Sequence, residues 1–331
     1  MCDAIAHIDR GRRKVANNYF VIFTSSNLLP TLQTIPPNTV YIIAGPTAVG
    51  KTDVAMELAR RLGTAIVSAD SRQCYKEMTI GTAKPSREQL LAVRHYFVDE
   101  FPVTDFLSAA DFESLALGYI DELFATHTSA VVCGGTGLYI KALCDGLDPM
   151  PETDPAIARQ TEDEYQLHGL DWLQQAVQQE DPEFYKTGEI QNPSRLLRAL
   201  SFVRSTGRSI VQYRTQVKKV RPFSIVKAGL ELPREQLYSR INDRVEHMMV
   251  QGLLAEVEGL FPLRHLKNLQ TVGYAELFDF MEGKYSLQEA IDKIKQHTRN
   301  YAKRQMTWFK KDKEITWFRA DDEGVVERIL E

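Results

Sequence analysis

The chain has 331 residues, of which 44% are apolar and 25% are charged, an ordinary globular composition for about two domains. Its 40 Lys and Arg residues nearly balance 44 Asp and Glu residues, and the net charge of −4 argues against a surface coated in nucleic acid. No apolar run approaches the ~18 residues of a membrane span, and the four cysteines form no C-x-x-C pair. We therefore expect a cytoplasmic protein without a zinc knuckle, a disulfide framework or a membrane partner.

The first 39 residues show no sustained hydrophobic period and contain turn-forming pairs such as Asn17-Asn18 and Pro36-Pro37. They are predicted to be an extension outside the fold. Order begins at Val40–Ala44, a short apolar run before a glycine, which is typical of a buried parallel strand. The following segment predicts a helix closed by Gly63, with apolar residues at four-residue spacing: Val54, Leu58 and Leu62.

A phosphate-binding loop lies between that strand and that helix. Its sequence matches G-x-x-x-x-G-K-[ST] at every fixed position: Gly45, Pro46, Thr47, Ala48, Val49, Gly50, Lys51 and Thr52. The glycines let backbone N–H groups curl around phosphate oxygens, and the helix N-terminus adds a favourable dipole. Lys51 is expected to neutralise the outer phosphate, and the Thr52 hydroxyl is expected to bind Mg²⁺. The loop predicts a polyphosphate or pyrophosphate ligand and leaves open which one.

A carboxylate follows the second predicted strand. Asp70 comes directly after Ala65–Ala69, at the carboxyl edge of the sheet, where the ligands of open α/β sheets gather. There it can take a proton from an attacking amine or hydroxyl, although an Asp after a strand also commonly forms an Asx turn. The residues up to this point fit a small-molecule kinase or a transferase with a pyrophosphate leaving group.

The next strand ends in glycines instead of an acid. Ser108 and Asp111 form a capping box that begins a helix, and Ala130–Cys133 is the next buried strand. Many nucleotide hydrolases place an Asp after such a strand to hold the metal, whereas here Gly134-Gly135-Thr136-Gly137 follows. Thr136 can donate a hydrogen bond to a phosphate or bridging oxygen, but a tight turn would need the same glycines. The missing carboxylate argues against a motor protein or a GTPase.

The remaining predicted elements are one strand and two regions of long helices, over Ser224–Ala228, Pro233–Phe261 and Ser286–Lys311. Strands that alternate with helices predict an α/β fold: a P-loop NTPase-like parallel sheet with helices on both faces. Residues 149–215 contain no strong strand and are predicted to form an inserted helical domain. The core then consists of residues 40–148 and 216–331.

Charge is unevenly distributed along the chain. Residues 145–185 contain eleven acidic residues and one basic residue, whereas residues 192–221 contain eight basic residues and no acid. A second acid-free stretch, residues 298–311, contains five basic residues. Such charges are often balanced by neighbours in space on a solvated helix face. Two acid-free stretches on one nearly neutral chain favour local binding of a polyanion instead.

Two finer expectations concern the long helices. Tyr301, Trp308 and Phe309 are interleaved with the basic residues of the last helix, and we expect them to belong to the core. Arg240 and Arg244 stand one helical turn apart, so either both face the site or they pair with acids at i,i+4 spacing.

Taken in order, the motifs resemble those of one family, the tRNA dimethylallyltransferases, from about Val40 to Phe318. The matching segments are Gly45–Thr52, Asp70–Tyr75, Ile80–Pro85, Ser108–Phe112, Gly134–Tyr139, Asn192–Leu200, Val272–Tyr274 and Lys303–Gln305. The chain has no Cys or His pair suited to the C-terminal zinc finger of eukaryotic relatives, so it is similar to the bacterial form.

The resemblance implies that the loop holds dimethylallyl diphosphate with Mg²⁺ instead of ATP. It implies transfer of the dimethylallyl group to N6 of adenine 37, beside the anticodon, in tRNAs that read codons beginning with U. Diphosphate is released and the product is N6-isopentenyladenosine. The implied partners are the tRNA anticodon stem-loop and dimethylallyl diphosphate, and we expect a monomer.

The resemblance also implies a role for each matching residue. Asp70 would accept the N6 proton, Thr136 would bind the bridging oxygen of the leaving group, and Arg244 would stabilise its charge. Lys51 and the loop amides would share that charge, with Thr52 near the metal. The implied tRNA contacts are Asp70, Ser71, Arg72, Gln73, Ser194, Arg195, Leu196, Leu197, Arg198, Gln270, Thr271, Val272, Gly273, Tyr274, Ala275, Thr298, Arg299, Lys303, Arg304 and Gln305.

Two other hypotheses compete with this one. The first is a P-loop small-molecule kinase or an adenylate prenyltransferase that acts on free nucleotide. The basic stretches argue against it, because a small-molecule enzyme has little use for them. The second is a P-loop RNA-binding module that uses nucleotide as a switch, and an intact set of Asp70, Thr136 and Arg244 argues against that.

Overall fold

The computed structural model describes residues 38–215 and 217–331. The extension predicted over residues 1–39 lies outside the described residues except for its last two, and Thr39 already begins a strand. The strands in the described part are β1 (Thr39–Ala44), β2 (Ile66–Ser68), β3 (His95–Tyr96), β4 (Ser129–Gly134), β5 (Ser224–Glu231) and β6 (Thr316–Arg319). No helix in the described ranges is both long enough and apolar enough to cross a membrane.

Helices connect and follow these strands. They are α1 (Lys51–Leu62), α2 (Arg87–Ala92), α3 (Ala109–Phe124), α4 (Gly137–Asp145), α5 (Pro155–Glu180), α6 (Pro182–Thr187), α7 (Pro193–Thr206), α8 (Arg234–Val250), α9 (Leu253–Leu260), α10 (Ala275–Met281), α11 (Leu287–Phe309) and α12 (Val325–Leu330). The predicted ends of two helices are confirmed. Gly63 closes α1 in the left-handed conformation, and the Ser108 and Asp111 capping box begins α3.

The strands form one parallel sheet in the order β3-β2-β4-β1-β5-β6. Alternate residues of β1 enter different cores: Val40 and Ile42 pack with α3 and α4 on one face, and Ile43 packs with α1 on the other. Both faces are therefore covered, which is why these strands read as continuous apolar runs. The predicted α/β class, a parallel sheet between two layers of helices, is confirmed.

Two strands and one helix break were not predicted. β3 has two residues and β6 has four, so neither is long enough to show a clear period. The region Pro233–Phe261 divides into α8 and α9 at Gly252, whose φ of 101° lies in the left-handed region. A glycine there ends one helix and lets the next begin in a new direction.

The helices α5, α6 and α7 surround a hydrophobic cluster of their own, separate from the two cores beside the sheet. Its buried members are Leu173, Ala176, Val177, Phe184, Leu196, Ala199, Leu200, Phe202 and Ile210. Arg204 joins α7 to α5 through Glu164 at 2.7 Å and Glu180 at 2.8 Å. Helices thus make up most of the described part of residues 149–215, the region predicted to be helical. Arg204 of the basic stretch pairs here with two acids of the acidic stretch.

Candidate active site

The phosphate-binding loop, Gly45–Thr52, joins β1 to α1 at the carboxyl edge of the sheet. Its backbone enters the left-handed region at Ala48 (φ 64°) and Gly50 (φ 106°). Gly50 stands directly before the first turn of α1, and no side chain caps the amides of that turn. The loop therefore offers backbone N–H groups and the positive end of a helix dipole to an anion.

The side chain of Lys51 folds back over this loop, and its Nζ donates a hydrogen bond to the carbonyl oxygen of Pro46 at 2.7 Å. Loss of solvation on burial lowers the pKa of Lys51 to about 8. The charge of Arg244 also lowers this pKa, whereas Cys133 and Asp70 raise it. Because two cationic side chains stand close together in a poorly solvated place, an anion bound between them would be stabilised.

We expect the affinity for inorganic pyrophosphate with Mg²⁺ to fall as the pH rises above about 8. Only the protonated amine attracts the anion, so the free protein must take up a proton to bind it once the pH exceeds the Lys51 pKa. Titration calorimetry between pH 7 and pH 9, in buffers of different ionisation enthalpy, measures the affinity and the number of protons taken up on binding. Lys51→Arg is the matched control, because an arginine stays charged over this pH range. Any pH dependence that remains in this variant comes from the titration of pyrophosphate itself. Identical profiles for the two proteins would contradict the prediction.

The turns after β2 and β4 are tied together beside the loop. The N–H of Ser71 donates to the Thr136 hydroxyl oxygen at 3.1 Å, and the Thr136 N–H donates to the carbonyl oxygen of Ala69 at 3.2 Å. Asp70 forms an Asx turn, with its Oδ1 accepting from the N–H groups of Arg72 at 2.9 Å and Gln73 at 3.3 Å. One oxygen of Asp70 thus fixes its orientation, and the side chain also lines a cavity.

That cavity has a volume of about 220 Å³ and brings together parts of the chain that are far apart in sequence. The loop contributes Thr47, the turn after β2 contributes Asp70 and Arg72, and α8 contributes Arg244. Burial lowers the pKa of Arg244, and the nearby Asp70 acts in the opposite direction. Apolar side chains complete the lining: Ile241, Val245, Met248, Val272 and Ile294. A lining with both charged and apolar side chains suits a ligand that carries both an anionic group and a hydrocarbon.

Arg240 and Arg244 both turn toward this site. Arg240 is exposed, and its Nη1 donates to the carbonyl oxygen of Val49 in the loop at 3.2 Å. Arg244 lines the cavity one turn later. Of the two arrangements considered for this pair, the structure has the one in which both arginines approach the phosphate-binding loop.

The glycines after β4 make room for α11. A Cβ on Gly135 would overlap Nε2 of Gln305, and a Cβ on Gly137 would overlap the indole of Trp308. Gln305 accepts from the Thr47 N–H at 2.9 Å and donates to the Gly135 carbonyl oxygen at 2.9 Å. The space that these glycines leave is therefore occupied by side chains of α11.

The sequence and the fold are similar to those of known proteins. Residues 73–312 match the sequence model of the IPP transferase family, which is more than two thirds of the chain. The chain belongs to the IPP transferase family. A relative from Phocaeicola vulgatus, tRNA dimethylallyltransferase 1, is 44% identical over 84% of this chain and 93% of its own length. The tRNA dimethylallyltransferase of Christiangramia forsetii is 47% identical over 82% of this chain and 90% of its own.

Solved structures agree with this assignment. The full-length tRNA isopentenylpyrophosphate transferase of Bacillus halodurans is 34% identical, with a TM-score of 0.65 over 88% of this chain and 93% of that one. A eukaryotic dimethylallyltransferase acting on tRNA is 22% identical with a TM-score of 0.72, which shows the common fold. The resemblance inferred from the motifs is confirmed.

The structure of this IPP transferase separates the residues predicted to contact tRNA into several groups. Those that line the cavity are Asp70, Ser71, Arg72, Thr271, Val272, Gly273, Tyr274 and Thr298. Exposed side chains away from it include Ser194, Arg195, Arg198, Lys303 and Arg304. Leu196, by contrast, is completely buried in the helical cluster, and Gln305 is buried with its amide bonded to the protein at both ends. The structure thus places these two inside the protein, away from the surface that the prediction assumed.

The first basic stretch of this IPP transferase is partly neutralised in space. Lys219 and Arg221 both reach Glu113, at 3.0 Å and 2.8 Å, and Lys218 reaches Glu314 at 2.6 Å. Arg204 pairs with Glu164 and Glu180, and Arg195 pairs with Glu189, so five of its eight charges have an acidic partner. Balance by acidic neighbours therefore accounts for most of this stretch.

A groove between α7 and α11 is lined by basic residues, with one acid, Glu189, at its wall. Its lining includes Arg195, Lys303, Arg304, Lys311 and Trp308. Within the described residues no carboxylate forms a salt bridge with Lys303, Arg304 or Lys311, whereas Arg195 pairs with Glu189 at 2.6 Å. Trp308 is 41% exposed, so the expectation that it belongs to the core is wrong, while Phe309 is buried as expected. The tertiary structure thus brings Arg195 of the first basic stretch into the same groove as three basic residues of the second.

Glu256 is a supporting residue that the sequence analysis missed. Its carboxylate accepts the N–H groups of Thr79 at 3.1 Å, Ile80 at 2.7 Å and Gly81 at 3.1 Å, and also the Tyr274 hydroxyl at 2.6 Å. Burial raises the pKa of Tyr274, and the charge of Glu256 and its hydrogen bond raise it further. Glu256 therefore joins two cavity-lining segments, and nothing in the local sequence of α9 signals a partner more than 170 residues away.

Proposed function

We propose that this chain transfers the dimethylallyl group of dimethylallyl diphosphate to N6 of adenine 37 in tRNAs that read codons beginning with U. The observation that supports this most is the single cavity shared by the phosphate-binding loop, Asp70, Arg244 and the 271–274 segment. An anion site, a carboxylate and an apolar lining in one cavity match the three parts of such a reaction. The names of the curated relatives, together with the basic groove, favour this function over a kinase or a prenyltransferase acting on free nucleotide.

In the proposed reaction the N6 lone pair forms a bond to the first carbon of the dimethylallyl group as the bond from that carbon to the diphosphate oxygen breaks. The electron pair of the broken bond leaves with the diphosphate. Asp70 accepts the N6 proton, and its fixed Oδ1 leaves the second carboxylate oxygen for that task. An adenine in an anticodon loop reaches such a cavity only after it is flipped out of its stack.

Charge that develops on the leaving diphosphate is stabilised by donors already in place. Lys51 and the amides at the start of α1 belong to the loop, and Arg244 is close enough to Lys51 to lower its pKa. The Thr136 hydroxyl, which accepts from the Ser71 N–H, is the proposed donor to the bridging oxygen. Preorganised donors of this kind contribute about 10²–10³-fold each to the rate. The allylic carbon gains cationic character at the same time, so an apolar lining that excludes water protects it.

A divalent cation fits this site through oxygen donors. Among residues 38–215 and 217–331 no group of three His, Cys, Asp or Glu side chains could hold a metal ion by itself. The Thr52 hydroxyl at the start of α1 is the donor that the loop offers, and Mg²⁺ commonly completes its shell with substrate phosphates and water. We propose Mg²⁺ bound by Thr52 and the diphosphate, where it would offset phosphate charge.

We further propose that residues 149–215 act as an inserted domain that holds the anticodon stem-loop against α11. The basic groove between α7 and α11 supports this, since Arg195 and Lys303 approach it from the two sides. The cavity is complete within one chain, which supports action as a monomer. We propose a cytoplasmic location, which the proposed tRNA substrate supports.

The transfer assay that tests this function incubates the protein with labelled dimethylallyl diphosphate, Mg²⁺ and either unmodified tRNA or AMP. Label is expected in the tRNA and not in the AMP, and nuclease digestion should return it as N6-isopentenyladenosine. A tRNA with guanine in place of adenine 37 is the matched control and should stay unlabelled. Label in AMP alone, or in neither acceptor, would exclude the proposed function.

A further inference from the structure

Gln305 connects α11 to both elements that hold the proposed leaving group. Its Oε1 accepts from the N–H of Thr47 in the phosphate-binding loop at 2.9 Å, and its Nε2 donates to the carbonyl oxygen of Gly135 at 2.9 Å. The residue after Gly135 is Thr136. Gln305 is 6% exposed, so both hydrogen bonds are shielded from water. One amide therefore spans from the loop to the turn that carries the Thr136 hydroxyl.

The rest of α11 reaches the tRNA side of the site. One turn before Gln305, Tyr301 lines the cavity, and burial raises its pKa to about 12. Lys303 and Arg304 are exposed and line the basic groove. The helix α11 thus lines the groove with its exposed side chains and contacts Thr47 and Gly135 through the buried Gln305.

We propose that Gln305 is a positioning residue that sets the separation between the phosphate-binding loop and Thr136, so that tRNA seated on α11 acts on the diphosphate site through it. This rests on the proposed function. The Thr47 N–H cannot serve as a free phosphate donor while Gln305 accepts it, and its direction is held by that bond. The resemblance assigned Gln305 to tRNA contact, whereas its amide is bonded to the protein at both ends.

Gln305→Met keeps the length of the side chain and removes both hydrogen bonds, which leaves the Thr47 N–H and the Gly135 carbonyl without their partner. Because a displacement of about 1 Å at a reacting centre costs about 100-fold, we expect kcat to fall ten- to a hundredfold. The KM for tRNA should stay unchanged, since the exposed face of α11 is intact. Gln288→Met, on an exposed position of the same helix, is the matched control and should retain the full kcat.

Binding without turnover tests the coupling itself. The probe is dimethylallyl thiolodiphosphate with Mg²⁺, an unreactive substrate analogue, titrated with and without an anticodon stem-loop. We expect the stem-loop to tighten probe binding by about fivefold or more in the unmodified protein and to have little effect in Gln305→Met. Since no product is formed, this result does not depend on the transfer assay. If the unmodified protein binds the probe equally tightly with and without the stem-loop, the inference is wrong. A positive transfer assay would still support the proposed function in that case.

The partner residue supplies a second test that leaves α11 unchanged. Gly135→Ala puts a methyl group where Nε2 of Gln305 lies, so it should disturb the same contact. The two substitutions are expected to be non-additive: the double variant should lose little more kcat than either single one. Additive losses would contradict a shared contact between Gln305 and Gly135. A raised KM for tRNA in Gln305→Met, with unchanged probe binding, would show that Gln305 contacts tRNA instead.

Discussion

Replacing Asp70 by Asn is expected to slow dimethylallyl transfer about 10²–10⁴-fold and to leave tRNA affinity unchanged, because an amide cannot accept the N6 proton at neutral pH. The structure makes Asn the informative choice. An Asn Oδ1 can still accept from the N–H groups of Arg72 and Gln73, so the Asx turn is kept while the base is lost. Single-turnover kinetics with labelled tRNA measure the transfer step, and filter binding measures the affinity.

Two further variants separate chemistry from folding at Asp70. Asp70→Ala removes the turn as well, and we expect it to be slower still and less stable by about 1 kcal/mol for the lost hydrogen bonds. Asp121→Asn changes an exposed carboxylate on α3 and should behave like the unmodified protein. A full transfer rate in Asp70→Asn would remove Asp70 from the mechanism, whatever the Ala variant does.

Arg244→Gln is expected to lower kcat/KM for dimethylallyl diphosphate about 10²–10³-fold, the usual effect of removing one preorganised donor from a developing anion. The side chain stands in the cavity near Lys51, and burial lowers its pKa, so its charge is poorly screened by water. Arg244→Lys keeps the charge without the planar donor fork and should recover only part of the loss. Steady-state kinetics at saturating tRNA give the comparison.

The control for Arg244 lies on the same helix. Arg234→Gln removes an exposed guanidinium at the start of α8, where it lies over the ring of Tyr238, and should change kcat/KM little. Equal losses in Arg234→Gln and Arg244→Gln would point to a general effect of charge on tRNA binding. Equal activity of Arg244→Gln and the unmodified protein would exclude a role in stabilising the leaving group.

Some features could be predicted because their causes are local. The phosphate-binding loop is specified by glycines, a lysine and a hydroxyl within eight residues, between an apolar strand and a helix. The capping box at Ser108 and the helix end at Gly63 are likewise set by neighbours in the chain. The parallel sheet follows from the alternation of strands and helices, since crossover connections are right-handed and cover both faces.

Other features depend on partners that are distant in the chain. Glu113 binds Lys219 and Arg221 across more than 100 residues, so a count of charges in one stretch overstates what is free for RNA. Leu196 lies within a basic motif, yet its position on α7 buries it completely. The strands β3 and β6 are too short to show a pattern of their own, and they are held in the sheet by pairing with β2 and β5.

The net charge of −4 averages over two basic stretches without acids, which are visible in the sequence alone. By itself the sequence determined the phosphate-binding loop, the carboxylate after β2, the parallel α/β class and the family. Only the tertiary structure decided which charges are free, which motif residues are buried and that Gln305 joins α11 to the loop. The physical reason is that local motifs fix backbone conformation, whereas burial and pairing depend on which helices pack together.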